Sequence, residues 1–292
     1  MQLILSLLSP LLILSLAGCE TFIPKHNLSM RVEDEVVAVK VVKPGEDVGP
    51  TYAPKALGPI AAVVLPIVVD LAIKKVGSEL DAESKRYTAD YSGFVAEHGF
   101  YTDDGKVSFT AIDIRRKVKG EDAISILLSV NKDQQPVNGM LQLTAEQIVL
   151  NYAKAKIADS AWYLPWTWGN KAELDLDINV TLEAQWVDDK RKGHSEIVAN
   201  LDIPIRGLAF GNNMNVSGGV QGFSTTPSAW FPAIPVTAKE ANKDNKSGNG
   251  TYVVKVKITE YDDFGKRVKK LSDYVESNRE SWVSKLKTSL SE

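Results

Sequence analysis

The stretch at residues 172–187, AELDLDINVTLEAQWV, alternates apolar and polar side chains almost without interruption. This period of two predicts a β-strand with one buried face, because successive side chains of a strand point to opposite sides of a sheet. The apolar side consists of Leu174, Leu176, Ile178 and Val180, and the polar side begins with Asp175, Asp177 and Asn179. We therefore expect a half-buried strand in a β-rich protein.

Other parts of the chain repeat this alternation. It recurs at residues 106–118, 122–133, 139–158, 194–209 and 250–261, and residues 36–42 form a shorter strand-like run. Turn-forming residues separate these stretches, as at Asp104–Gly105 and Lys119–Gly120. Because strands joined by short loops pair antiparallel, the sequence predicts a meander folded into an antiparallel β-rich sandwich or partly open barrel of the α+β class.

An N-terminal and a C-terminal amphipathic helix are expected to flank the strands. Residues 56–87 carry no charge until Asp70, and residues 56–73 are either a core helix or a membrane-associated segment. Near the C-terminus, helical spacing relates Val268, Leu271, Val275, Trp282 and Leu286. We expect Asp262 or Asp263 to cap this helix, and the helix to cover one sheet face.

The N-terminus has the features of a secretion signal. Residues 3–16 are mostly apolar, no charged residue precedes Glu20, and the run is too short for a comfortable membrane span. It ends in Leu16, Ala17, Gly18 and Cys19, and Cys19 is the single cysteine of the chain. This ending resembles the lipobox of bacterial lipoproteins, although the usual Lys or Arg is missing before the apolar run.

The lipoprotein resemblance implies how the chain is processed and located. It implies cleavage between Gly18 and Cys19, so residues 1–18 are a signal peptide and the Cys19 thiol carries a diacylglyceryl group. Residues 19–35 would form a lipidated tether, and residues 36–292 a single β-rich domain with flanking helices. Since Glu20 and not Asp follows the cysteine, the resemblance implies the outer membrane, with the lipid anchor as the membrane contact.

Composition and motifs argue against several kinds of site. The chain has 34 basic and 37 acidic residues, interspersed, so no nucleic-acid partner is expected. A single cysteine and the scattered His26, His98 and His194 predict no metal site, and no cofactor fingerprint occurs. Asp175, Asp177 and Asn179 resemble the start of a calcium loop, but its later glycine and glutamate are missing, which favours a solvated strand face.

Two aromatic clusters are the candidate partner-binding sites. Trp162, Tyr163, Trp166 and Trp168 crowd around Pro165, and Trp230 and Phe231 lie between prolines. Large aromatic side chains on loops anchor partners, stack on sugars or sit among lipid headgroups. They also fold back as a cap over the end of a sheet, so both interpretations remain open.

The sequence favours a non-enzymatic, lipid-anchored binding or assembly protein of the outer membrane, with another envelope protein or a glycan as its partner. An envelope-glycan hydrolase is one alternative, and it requires two carboxyl groups facing each other across a groove. A lipid carrier is another alternative, and it requires an apolar cavity between the sheets.

Overall fold

The computed structural model describes residues 35–46, 69–98, 109–130, 140–157, 173–187, 191–214, 223–232 and 251–291. The described strands form two five-stranded sheets and a small two-stranded one, and all their pairings are antiparallel. The prediction of a β-rich α+β sandwich is confirmed at this level. Each sheet is open, and the described strands form no closed barrel.

The first large sheet, called sheet I, has the strand order β1-β3-β4-β6-β9. Its strands are β1 (Glu35–Val42), β3 (Ala111–Val118), β4 (Glu121–Val130), β6 (Leu143–Leu150) and β9 (Gly211–Met214). The second, called sheet II, has the order β10-β8-β7-β12-β2. Its strands are β10 (Ser224–Thr225), β8 (Gly193–Ala209), β7 (Glu173–Val187), β12 (Thr251–Tyr261) and β2 (Thr88–His98). The small sheet pairs β5 (Met140–Leu141) with β11 (Phe231–Pro232).

One continuous apolar core lies between sheets I and II. Alternate residues of each strand supply it, as the period of two requires. On β7 the inward residues are Leu174, Leu176, Ile178 and Val180, each at most 1% exposed. The facing sheet contributes Ile112, Ile114, Ile124, Ile126 and Leu128. The apolar side predicted for residues 172–187 is therefore the buried side.

The two sheets come together closely at the corner between β1 and β2. Gly93 of β2 lies against Val37 of β1, where an added Cβ would stand 2.8 Å from the Val37 Cγ1 atom and 2.9 Å from its carbonyl oxygen. Lys43 and Glu97 form an ion pair of 2.9 Å further along the same corner. Only a residue without a side chain allows this approach.

Two helices pack against each other at one end of the sandwich. Helix α1 (Val69–Lys85) leads into β2, and helix α2 (Asp263–Ser291) follows β12. The Ser272 hydroxyl donates to the Gly77 carbonyl at 3.0 Å, and Lys269 pairs with Asp81 at 2.9 Å. Since the contacts of α2 move down α1 as its residue numbers increase, the pair is antiparallel.

The helix contacts correct one expectation. The buried side of α2 includes Phe264, Val268 and Val275, whereas Leu271 is 39% exposed. Among the described residues, this side packs on α1 and not on a sheet face, unlike the expectation from the sequence. Its N-cap is Asp262, whose Oδ1 accepts the Phe264 N–H at 2.7 Å. In the described part of the chain, no helix is both long and apolar enough to cross a membrane.

The strands do not all pair with their neighbours in sequence, as they would in a meander. Strands β3, β4 and β6 follow one another in sheet I, but β2 pairs with β12 at the far end of the chain. One strand was predicted over residues 139–158, but the described residues 140–157 form β5 and β6 and leave the sheet at Asn151. The reason is that two N–H groups after Asn151 bind a carboxylate instead of a neighbouring strand.

Several predicted features lie outside the described residues. These include the signal segment, Gly18 and Cys19, most of the tether, and residues 56–68 of the N-terminal apolar stretch. Trp162, Tyr163, Trp166 and Trp168 also lie outside them. Strand β1 begins at Glu35, one residue before the predicted start of the domain.

Candidate functional site

The outer face of sheet II is built from side chains that point away from the core on four adjacent strands. Strand pairing places them in rungs across the sheet. One rung contains Ser92, Lys257, Asn179 and Asp202, the next contains Asp90, Thr259, Asp177 and Pro204, and a third contains Phe94, Lys255, Thr181 and Asn200. We use "outer face of sheet II" for these three rungs and their immediate neighbours.

An open groove of about 510 Å³ crosses two of these rungs. The side chains that give it chemical character are Asp177, Asn179, Asp202, Lys257 and Thr259. Because carboxylate, amide, ammonium and hydroxyl groups occur together, the groove presents both hydrogen-bond donors and acceptors. It is therefore suited to a polar ligand.

Hydrogen bonds hold one side of the groove in place. The Asn179 amide donates to the Asp202 Oδ1 at 2.7 Å and to the Asn200 Oδ1 at 2.8 Å. The Thr181 hydroxyl lies 3.3 Å from the same Asn200 oxygen. Across the groove, Thr259 donates to the Asp90 Oδ1 at 2.6 Å. These cross-strand bonds orient the polar side chains in the absence of a ligand.

Asp177 belongs to a second polar group at the helix end of the groove. Its Oδ1 lies 2.7 Å from the Arg206 Nη2 and accepts a long hydrogen bond of 3.4 Å from the Tyr261 hydroxyl. The Arg206 guanidinium also stacks 5.2 Å from the Tyr261 ring centre. Partial burial and the negative charge of Asp177 raise the pKa of Tyr261 to about 12, so this hydroxyl remains protonated at neutral pH.

Glu183 organises the opposite end of the outer face of sheet II. Its carboxylate pairs with Lys255, accepts the Ser195 hydroxyl at 2.6 Å and accepts the Gln185 amide at 2.9 Å. These three donors, Lys255 first, lower the pKa of Glu183 to about 2. The carboxylate is therefore ionised over the whole physiological range.

Two apolar side chains stand out on this otherwise polar face. Phe94 on β2 is 72% exposed, and Ile197 on β8 is 64% exposed. They lie near opposite edges of the sheet, because β2 is an edge strand and β8 is covered only at Ile205 and Arg206 by the short β10. An exposed phenyl ring beside hydrogen-bonding groups is a recurrent feature of ligand-binding surfaces.

A buried ion network lies on the inner side of sheet II, opposite the groove. Arg116 is fully buried, and its Nε donates to the Glu35 Oε2 at 3.2 Å while its Nη1 lies 3.5 Å from the Glu260 Oε1. The other Glu260 oxygen accepts the N–H groups of Lys154 at 2.5 Å and Ala155 at 2.8 Å. Burial raises the pKa of Glu260, and the Arg116 charge together with these N–H groups opposes that rise.

The network also reaches the helices. The Lys154 ammonium pairs with Glu35, and Lys156 pairs with Glu83 of α1 at 2.5 Å. The Lys156 N–H also donates to the Arg86 carbonyl at 2.7 Å. These residues connect β1, β3 and β12 with α1, and Arg116, Glu260, Lys156 and Glu83 are buried. We interpret the network as a structural connection between the sheets and the helix pair.

The predicted site residues have different positions in the structure. Trp230 is 42% exposed, whereas Phe231 is fully buried and belongs to the core, so its side chain is not at the surface. Asp177 and Asn179 occupy the solvated strand face predicted for them. In the described ranges no group of three or more His, Cys, Asp and Glu residues is placed to hold a metal ion.

Sequence reasoning did not single out Phe94, Asp202 or Lys257. Each lies on a different strand from Asn179, and only the strand register brings the four together. The alternation at residues 194–209 and 250–261 did place Asp202 and Lys257 on outward positions. Comparison of the chain with protein-family models, with curated protein sequences and with solved structures gives no match.

Proposed function

We propose that the protein is a non-enzymatic, lipid-anchored protein of the bacterial outer membrane that binds another envelope component through the outer face of sheet II. The lipid anchor rests on the residues from Leu16 to Cys19 and their resemblance to a lipobox. Two or three acyl chains on Cys19 would hold the chain stably, since one chain alone gives only reversible binding.

The observation that carries the binding role is the groove on the outer face of sheet II. Its donors and acceptors come from three adjacent strands, and cross-strand hydrogen bonds such as Asn179 to Asp202 at 2.7 Å hold them in place. Such preorganisation reduces the ordering cost of binding. Binding elements on rigid strands are also positioned better than those on loops.

The anchor is tested by membrane fractionation of the Cys19→Ser variant. We expect this variant to appear in the soluble fraction, whereas the wild type sediments with the membrane. A variant that sediments like the wild type would show that Cys19 does not anchor the chain.

The binding role is tested by photo-crosslinking of the full chain in cells. A photoreactive residue replaces Lys257 in the groove, and a matched control replaces Lys270, an exposed residue of α2. We expect a discrete adduct from position 257 that is absent at position 270. Adducts of equal yield at both positions, or none at 257, would contradict binding at the groove.

A glycan hydrolase is the second candidate because two carboxylates line one groove. Asp177 pairs across the sheet with Pro204, and Asp202 lies two residues from Pro204 on β8. Residues in such diagonal positions are neighbours on the same face of the sheet. Inverting glycoside hydrolases likewise use two carboxyl groups on facing positions, roughly 6.5–9.5 Å apart with a water between them. Release of soluble fragments from purified cell-wall glycan, lost in Asp202→Asn, would favour this candidate over simple binding.

A further inference from the structure

We propose that the ligand of the outer face of sheet II is a chain of neutral sugar rings, stacked on Phe94 and hydrogen-bonded in the groove. This inference rests on the proposed binding function and specifies the class of its ligand. Three observations carry it: the exposed phenyl ring, the mixture of groups in the groove, and the balance of charge on the face.

The Phe94 ring is exposed to solvent and takes no part in the apolar core. Its side chain is 72% exposed, although it lies in the middle of the 11-residue strand β2. A ring in this position leaves an apolar surface in water next to Lys255, its partner on β12. The C–H faces of sugar rings pack well on such aromatic surfaces, because both surfaces are apolar and nearly flat.

Phe94 lies at a suitable position relative to the groove. Lys255 and Thr181 separate it from Asn200 within its rung, and the neighbouring rung contains Asn179 and Asp202. Since adjacent strands are about 4.8 Å apart and rungs roughly 7 Å apart, ring and groove are on the order of 10 Å apart. A single sugar could not use both fully, but a short oligosaccharide could.

The chemistry of the groove matches hydroxyl groups. Each sugar hydroxyl both donates and accepts hydrogen bonds, and the groove offers the acceptor oxygens of Asp202 beside the Lys257 ammonium and the Thr259 hydroxyl. Among the described residues, Asp202 has no cationic partner, and its carboxylate is bonded by the neutral Asn179 amide. It can therefore accept ligand hydroxyls directly.

The charge on this face argues against an anionic ligand. The outward side chains include five carboxylates, namely Asp90, Asp175, Asp177, Asp202 and Glu183, and three cations, namely Lys255, Lys257 and Arg206. All three cations are already paired, Arg206 with Asp177 at 2.7 Å, Lys257 with Asp90 at 3.8 Å and Lys255 with Glu183. A nucleic acid, an acidic polysaccharide or an anionic membrane would meet a net negative surface, so a neutral polymer is the better fit.

The test measures binding of two neutral probes, chitohexaose and cellohexaose, to the full chain. The protein is held in a detergent whose headgroup contains no sugar, and calorimetry or NMR titration reports the Kd. We expect binding of at least one probe, weakened about tenfold or more by Phe94→Ala. Ile197→Ala is the matched control, because Ile197 is similarly exposed on the same face, and we expect it to bind like the wild type.

The outcomes test the ligand class and the binding role separately. If neither oligosaccharide binds, or if polyphosphate binds more tightly than both, the sugar proposal is overturned. The binding role would still stand if position 257 crosslinks to an envelope component in cells. If an oligosaccharide binds and Phe94→Ala equals Ile197→Ala, the phenyl platform is wrong. If crosslinking at position 257 also fails, the proposed function falls with it.

Discussion

Arg116 of sheet I and Glu260 of sheet II form an ion pair in which both side chains are fully buried, with 3.5 Å between Nη1 and Oε1. The pair spans the two layers of the sandwich at the end where α1 leads into β2 and α2 follows β12. Arg116 also donates to the Glu35 carboxylate and to the Tyr152 carbonyl, and Glu260 accepts two backbone N–H groups. A buried charge pair of this kind need not exceed a well-packed apolar pair in stability, but breaking it is costly.

Replacing Arg116 alone should therefore be strongly destabilising. Arg116→Met leaves Glu260 buried without its cation, and we expect the free energy of unfolding to fall by about 3–5 kcal/mol. Urea denaturation followed by circular dichroism measures this loss. The double variant Arg116→Met with Glu260→Gln removes both charges and should recover part of the loss, and a double variant as unstable as Arg116→Met would contradict this account.

The stability of the fold should also depend on the protonation of Glu260. Burial raises the pKa of Glu260 in the folded protein above its ordinary value of 4.5, and the facing Arg116 only opposes this shift. A raised acid pKa contributes stability that is full below about pH 4.5 and is lost as pH rises through the folded-state pKa. We expect Glu260→Gln to flatten this part of the profile of unfolding free energy against pH. An unchanged slope would show that Glu260 is not its source.

The corner between β1 and β2 should not accept a side chain at position 93. Gly93→Ala would place a Cβ 2.9 Å from the Val37 carbonyl oxygen, so the strands must separate. We expect a loss of about 1–3 kcal/mol in unfolding free energy. Gly193→Ala is the matched control, because an added Cβ there meets nothing within 4 Å. Equal effects of the two substitutions would refute the close packing at this corner.

The Glu183 carboxyl should titrate far below an ordinary glutamate. NMR titration of the side-chain carboxyl is expected to give a pKa of about 2, because Lys255, Ser195 and Gln185 all donate to the ionised form. Lys255→Met should raise the pKa of Glu183 towards 4.5. Lys257→Met serves as the control, since Lys257 lies near Asp90 and not Glu183. If the pKa of Glu183 is the same in both variants as in the wild type, the proposed role of Lys255 is wrong.

The strands could be predicted because their alternation is a local property. Residues 172–187 and 250–261 both became long strands of sheet II, with the apolar residues inside. The strand predicted from the alternation was wrong at Lys154 and Lys156. Small buried residues alternate with lysines there, but the backbone turns towards Glu260. The long-range ion pairs that cause this turn have no local signal.

The candidate groove could be predicted only in part. The outward position of Asp177 and Asn179 followed from their spacing, but their neighbours depend on which strands pair and in what register. No individual strand was predicted at residues 88–98, because the small residues of β2 and Gly93 interrupt the apolar pattern. Phe94, which lies on that strand, was therefore not recognised as a surface feature.

The way in which the helices join sheet II has a mechanical consequence. Strand β2 starts after α1 and strand β12 ends before α2, and Thr88 pairs with Tyr261 at the point where both helices leave. A force that pulled the helices apart would open these two strands from that end, one hydrogen-bonded pair after another. Glu260 lies one residue before Tyr261, so it is among the first residues that such a separation would move. Its bonds to Arg116 and to the backbone of residues 154–155 therefore resist the separation of β2 from β12.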